Sequence, residues 1–203
     1  PYFEHLANNY LFAQIEKRVA DFQMRNSKQS LVNLGIGDVT RPLPKIVIDA
    51  MHKAVDEMAQ AASVKGYGPA HGYDFLKQAI AKSDYRARGL DISEDEIFVS
   101  DGCKSDSGNI GDLFARENRV AICDPVYPVY VDANVMDGRA GRPDRASGRF
   151  SRLIWLSCRE EDGFVPKVAD LVQKNAKPDM IYLCFTNNPT GAVISRRQLQ
   201  AWV

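Results

Sequence analysis

The chain has 203 residues, 45% hydrophobic and 26% charged, with 26 Lys plus Arg balanced by 26 Asp plus Glu. That is the composition of a folded domain or a large piece of one, and the absent net charge gives no electrostatic footing for nucleic acid or an anionic membrane. No apolar run nears the ~20 residues of a membrane span, no His/Cys/acid group has metal-ligand spacing, and four cysteines without a Cys-x-x-Cys pair read as reduced cytosolic thiols.

Neither end reads as natural: Pro1 is no ordinary start, and Val203 falls inside a segment that has just begun a helical pattern. Leu11, Ile15, Val19 and Phe22 stand at helical spacing and predict an amphipathic helix over Tyr10–Phe22. A short strand-like piece, Leu31–Leu34, runs into Gly35-Ile36-Gly37-Asp38. Pro42 and Pro44 break the chain before a helix from about Ile46 to Ala61, whose apolar face is Val47, Met51, Ala54, Val55 and Met58. A turn-rich loop, Gly66-Tyr67-Gly68-Pro69 and Gly72, precedes a helix carrying Phe75, Leu76, Ala79 and Ile80.

From there strands and helices alternate. Ile97–Val99 leads into Ser100-Asp101-Gly102-Cys103-Lys104 and a helix to about Phe114. Val120–Ile122 leads into Asp124-Pro125-Val126-Tyr127-Pro128 and a helix near Tyr130–Met136. Leu153–Leu156 precedes a helix near Val168–Gln173, and Met180–Phe185 ends in Asn187-Asn188-Pro189-Thr190-Gly191. The Arg-rich run Gly138–Arg145 reads as a solvated loop. Short strands that are apolar throughout, alternating with helices, predict an α/β sheet covered on both faces.

In such sheets ligands gather at the carboxyl ends of the strands, where the most distinctive strings of this sequence fall. A strand, a Gly turn and a helix start at Asp101–Lys104 aim backbone N–H groups at one point, which suits a phosphate. The spacing is not that of a P-loop, and the same string also serves as an ordinary turn. Two prolines fix a bend that holds Tyr127 where its ring either faces a flat ligand or packs in the core. The Asn188-Pro189 bond can be cis, which would set an Asn amide at a strand end, free to donate to a phenolic oxygen.

Taken in this order, the three strings resemble the fold-type I, class I/II pyridoxal-phosphate-dependent aminotransferases. The resemblance spans the chain, through Asn9-Tyr10-Leu11-Phe12, Leu34–Pro44, Gly66–Pro69, Asp101–Lys104, Asp124–Pro128 and Asn187–Gly191. The last string marks the superfamily. Asn9–Phe12 and Gly35–Leu43 point to the branch that makes LL-2,6-diaminopimelate.

The resemblance implies a three-layer, mostly parallel sheet with helices on both faces, belonging to an incomplete large domain over 41–203. An N-terminal arm and part of a small domain would occupy 1–40. It implies pyridoxal 5′-phosphate as cofactor, held by Tyr67, Cys103, Lys104, Tyr127 and Asn188. Tyr67 would reach the cofactor of a second subunit in a homodimer. Tyr10, Gly37, Lys104, Tyr127 and Asn188 would contact the amino-acid or keto-acid substrate. The implied reaction moves an amino group between glutamate/2-oxoglutarate and tetrahydrodipicolinate/LL-2,6-diaminopimelate in lysine biosynthesis. It would run in the cytoplasm, or in a plastid if the source is a plant.

Two residues depart from the family pattern: Cys103 where a smaller residue is usual, and Thr186 where proline is usual. The family's Schiff-base lysine lies well beyond the Asn-Pro-Thr-Gly string, so no catalytic lysine is expected within these residues and the 203-residue piece alone is expected to be inactive. Lys104 does not replace it, because it follows the phosphate turn and so stands at the wrong end of the ring. The alternatives are an aminotransferase for aspartate or aromatic amino acids, and a non-catalytic module of the same fold.

Overall fold

The computed structural model describes residues 2–6, 11–32, 34, 37 and 39–203. Its contacts divide the chain into two compact units, 1–8 with 101–203, and 9–100. The boundary expected near residue 40 falls inside the second unit.

The 9–100 unit is helical. Helix α1 spans Leu11–Arg25, α2 Lys45–Met58 and α3 Asp74–Ile80, which widens into a π turn at Ala81–Tyr85. Pro44 precedes α2 as its N-cap residue, where a missing N–H costs no helical bond. The apolar stripe of α2 is where the periodicity put it, yet Val47, Met51, Val55 and Met58 are all exposed. Periodicity locates a face that would favour a cover; it does not supply one.

Two expected strands are absent among the described residues. Residues 31, 32 and 34 are irregular and exposed, and 97–100 form no ladder. The reason at 97–99 is local: the Val99 N–H donates to the His71 carbonyl at 3.2 Å, and no strand among the described residues runs alongside. An apolar alternation supports a strand only where a neighbour can complete the backbone pairing.

The other unit holds the sheet. Helix α4 (Cys103–Asn109) precedes β1 (Val120–Asp124), α5 (Val129–Met136), β2 (Ile154–Ser157), α6 (Val168–Gln173), β3 (Met180–Tyr182) and α7 (Arg196–Gln200). The strands are parallel in the order β2-β1-β3. Because β1 is central it is buried on both faces, and alternate residues serve opposite cores. Val120 and Ile122 join Val135, Ala140 and Leu153 beneath α5. Ala121 and Cys123 join Leu156, Cys158 and Leu171, with Trp202 against them. The register keeps this sorting across the sheet, pairing Ile122 with Trp155 and Tyr182, and Cys123 with Leu156.

The helices therefore lie on both faces, α5 on one and α6 on the other. The loop after β1 departs toward the first face and the chain after β3 toward the second. Adjacent parallel strands whose exits part in this way leave a crevice at their carboxyl ends.

The Arg-rich run is no uniform solvated loop. Arg139 is 3% exposed, and its guanidinium donates to the carbonyls of Phe114 (2.8 Å), Ala115 (3.2 Å) and Gly111 and pairs with Asp137. The residues after it form a small hairpin, with Ser151 N–H donating to Arg142 O at 3.1 Å and Arg152 N–H to Ala140 O at 3.0 Å. Arg139→Ala orphans three carbonyls and a carboxylate, so it should cost about 3–5 kcal/mol in denaturant unfolding. Arg145→Ala, on an exposed residue of the same run, should stay within about 0.5 kcal/mol of the parent.

Candidate functional site

The crevice at the ends of β1 and β3 is fastened by one side chain. Asn187 is 4% exposed, and its Nδ2 donates to Pro125 O at 3.1 Å and to Thr190 Oγ1 at 2.9 Å. Its backbone closes the turn as well: the N–H donates to Ala192 O at 2.8 Å, and the carbonyl accepts from Gly191 N–H at 2.7 Å. The segment following β3 is thereby held against the segment following β1. The Asp124-Pro125 and Asn188-Pro189 bonds are cis, as is Phe185-Thr186. Asn187 Oδ1 is buried without a hydrogen-bond partner. Of the doubled asparagine only Asn188 has a role expected from the sequence; Asn187 is marked there only as a second amide one residue ahead of the Asn-Pro-Thr-Gly string.

Asn188 follows on the exposed side of that turn, with its amide accessible. Tyr127, two residues past the Pro125 carbonyl that Asn187 grips, is half-buried, and the Lys104 ammonium stands 6.0 Å from its ring centroid. The helix start that carries Lys104 is opened by Gly102, whose φ of +142° favours glycine and where an added Cβ would meet nothing within 4 Å. Its carbonyl accepts from Asp106 N–H at 3.2 Å, so the N–H groups of Cys103 and Lys104 precede the first helical bond and have no acceptor within the helix. Both residues are exposed.

Behind this edge lies a polar cluster. The Tyr130 and Tyr182 rings meet at 5.1 Å between centroids. Burial, and then the neighbouring Cys184 thiol, push the Tyr130 phenol up to about 12. Burial likewise raises the Asp132 carboxyl, against the pull of nearby Lys104. Cys123 and Cys158 face each other beneath the strand ends, and the Cys123 thiol is pushed up by a hydrogen bond with the Cys158 thiol and by burial. All four cysteines are free, and no three His, Cys, Asp or Glu side chains among the described residues could hold a metal ion.

The structure thus brings Lys104, Tyr127 and the Asn187–Asn188 turn to one end of the sheet. Tyr67 and Gly37 belong to the 9–100 unit, where both are exposed, Tyr67 completely so. Tyr10 lies outside the described residues. No helix among the described residues is long and apolar enough to cross a membrane.

Residues 29–203 match the family described as aminotransferase class I and II. Over 201 residues the chain is 53% identical to the LL-diaminopimelate aminotransferase of Agathobacter rectalis, covering 99% of this chain and 48% of that protein. It is 48% identical over 202 residues to the enzyme of the same name from Bacteroides fragilis, covering 100% of this chain and again 48% of that one. Among solved structures, the L,L-diaminopimelate aminotransferase of Chlamydomonas reinhardtii superposes with a TM-score of 0.84 at 37% identity, over 99% of this chain and 48% of that one. A Thermus thermophilus aspartate aminotransferase, 22% identical with a TM-score of 0.77, shares the fold. The chain spans about half the length of the curated relatives it matches.

The Tyr130 environment gives a pH prediction. Its folded value lies above the ~10 of an unfolded tyrosine, so its contribution to stability is complete below pH ~10 and is lost as pH rises through about 12. An ultraviolet phenolate titration of the folded protein should show a late-ionising tyrosine that Tyr130→Phe removes. An unchanged high-pH limb in the variant would contradict the buried placement.

Proposed function

Because the chain belongs to the class I and II aminotransferases, we propose that the whole protein transfers an amino group between glutamate/2-oxoglutarate and tetrahydrodipicolinate/LL-2,6-diaminopimelate, a step of lysine biosynthesis. The observation that carries this reading is the meeting of Lys104, Tyr127 and the Asn187–Asn188 turn where parallel strands end, in a chain half identical to proteins of that name.

The family's cofactor is pyridoxal 5′-phosphate, and the residues present fit it. An exposed amide, a half-buried aromatic ring, a lysine above that ring and unused N–H groups in one helical turn match a flat phenolic ring bearing a phosphate. When bound, that ring supplies the electron sink that makes a substrate α-proton removable.

In this reading the backbone N–H groups of Cys103 and Lys104 donate to the phosphate, and Cys103 is tolerated there because its backbone does the binding. The Tyr127 ring covers one face of the cofactor, and the Asn188 amide donates to its 3-oxygen. The Lys104 ammonium adds positive charge beside the phosphate and toward the substrate. Tyr67, presented outward between two glycines, would donate to the phosphate of a partner subunit, which makes the working enzyme a homodimer. Tyr10 and the Gly37 backbone would meet the amino acid. A cytoplasmic enzyme with reduced thiols fits the cysteine pattern.

The test is a donor panel on the full-length protein with 2-oxoglutarate as acceptor. LL-diaminopimelate should exceed aspartate and the aromatic amino acids in kcat/KM by roughly two orders of magnitude, about 2.7 kcal/mol of discrimination. A preference for aspartate or tyrosine would replace the substrate assignment, and cofactor binding without turnover of any donor would make the protein a non-catalytic module.

In the same enzyme Asn188→Ala removes a hydrogen bond to a charged oxygen. It should lower kcat/KM by about ten- to a hundredfold, the equivalent of roughly 1.5–3 kcal/mol. Parent-like kinetics in that variant would remove Asn188 from the site.

A further inference from the structure

Strand β1 ends at Asp124, and its exit is held from both neighbouring strands. From the β3 side the Asn187 amide grips the Pro125 carbonyl. From the β2 side the Cys158 N–H donates to Asp124 O at 2.9 Å. A further hold comes from the hairpin that precedes β2, where the Arg149 guanidinium pairs with the Asp124 carboxylate. All these residues belong to the unit that carries the sheet.

The hairpin is built in a way that fixes Arg149. Pro143 and Phe150 bridge its two arms, and the Asp144 N–H donates to Arg149 O at 2.8 Å. The turn between the arms closes on the Asp144 carboxylate, whose Oδ1 accepts from the Ala146 N–H at 3.2 Å and from the Ser147 N–H and hydroxyl at 2.8 Å each. Ser147 Oγ accepts from the Arg149 N–H at 3.3 Å, and Gly148, at φ +68°, supplies the left-handed step. Both main-chain groups of Arg149 are thus engaged before its side chain leaves the turn.

That side chain passes over Trp155, with the guanidinium 5.7 Å from the ring centroid, and the Trp155 Nε1–H in turn donates to Phe150 O at 3.3 Å. A planar guanidinium over an aromatic face keeps its fork oriented. Alternation puts Asp124 on the same face of β1 as Val120 and Ile122, and Ile122 pairs with Trp155. The ring that steadies Arg149 and the carboxylate it meets therefore share one face of the sheet. The two charged side chains are 52% and 32% exposed, and an ion pair so placed adds little to global stability. What the pair does fix is a place: Pro125 follows Asp124 directly, and Tyr127 stands two residues further on.

We propose that Arg149 is a positioning residue of the strand-end site, holding the exit of β1 so that Pro125 meets the Asn187 amide and Tyr127 meets the ligand. The proposal rests on the cofactor-binding reading of that site.

The experiment compares Arg149→Met, Arg149→Lys, Asp124→Asn and the Arg149→Met/Asp124→Asn double variant of the full-length protein in two measurements. Hydrogen exchange without cofactor reads the exit itself. Arg149→Met should speed exchange of the Cys158, Asn187 and Gly191 amides by about threefold and leave the amides of β1 at the parent rate. Titration with pyridoxal phosphate reads the site, and Arg149→Met should weaken affinity by about three- to fivefold. Arg149→Lys, which keeps the charge but loses the fork, should recover part of each loss. The double variant should be no weaker than Asp124→Asn alone, because the pair acts as a unit. Faster exchange throughout the sheet would make Arg149 an ordinary stabilising residue and overturn the proposal. Unchanged exchange at the exit, parent-like cofactor affinity in Arg149→Met, or additive losses in the double variant would overturn it as well. A parent protein that binds no pyridoxal phosphate would count against the amino-transfer reading, and the exchange rates would still decide whether Arg149 holds the exit.

Discussion

The bond from the Asn187 amide to the Pro125 carbonyl is the interaction on which the site depends. Neighbouring parallel strands end in loops that diverge, because the connections that follow them lie on opposite faces of the sheet. Nothing in a β-ladder prevents those loops from drifting apart once the strand pairing has ended. A buried amide that reaches from one exit to the other converts a divergence point into a shape. Its second donation, to Thr190, and the backbone bonds to Gly191 and Ala192 fix the turn from which Asn188 projects.

Around that clasp the polar groups are sorted by depth. Deepest are the side chains of Cys123 and Cys158, where the neighbouring Cys158 and burial keep the Cys123 thiol protonated; shallower lies the Tyr130 phenol, which burial keeps protonated. Lys104 and the first-turn N–H groups are exposed, where charge is inexpensive and a ligand has access. The larger buried charge, Arg139, is satisfied away from the crevice by carbonyls and Asp137, so it braces α5 and leaves the edge free.

Much of this was legible in the sequence. The runs at 120–122, 153–156 and 180–185 read as strands because apolar residues fill both faces, and β1–β3 overlap them, β3 being the shorter Met180–Tyr182. Helix α6 occupies the expected Val168–Gln173. Ile97–Val99 has the same composition and is no strand, since pairing is a property of neighbours and not of a run. Arg139 stood in a basic, Gly-rich string that composition assigns to solvent; its burial follows from three carbonyls brought together by tertiary folding, which no local pattern encodes. Lys104, Tyr127 and Asn188 stand in distinctive strings, and the structure places those strings at one end of the sheet. Asn187 was hidden by its neighbour, since a side chain that acts by gripping a distant backbone carbonyl leaves no periodicity.

If the clasp shapes the cofactor site, loosening it must weaken binding without dissolving the sheet. The direct measurement is the dissociation constant of pyridoxal phosphate for the full-length protein carrying Asn187→Ala, followed by absorbance alongside far-ultraviolet circular dichroism. Thr190→Val, which removes only one acceptor of the same amide, is the milder companion. The account predicts about a tenfold loss of affinity in Asn187→Ala, the equivalent of ~1.4 kcal/mol, and a smaller loss in Thr190→Val, with the secondary structure retained. Parent-like affinity in both folded variants would contradict it.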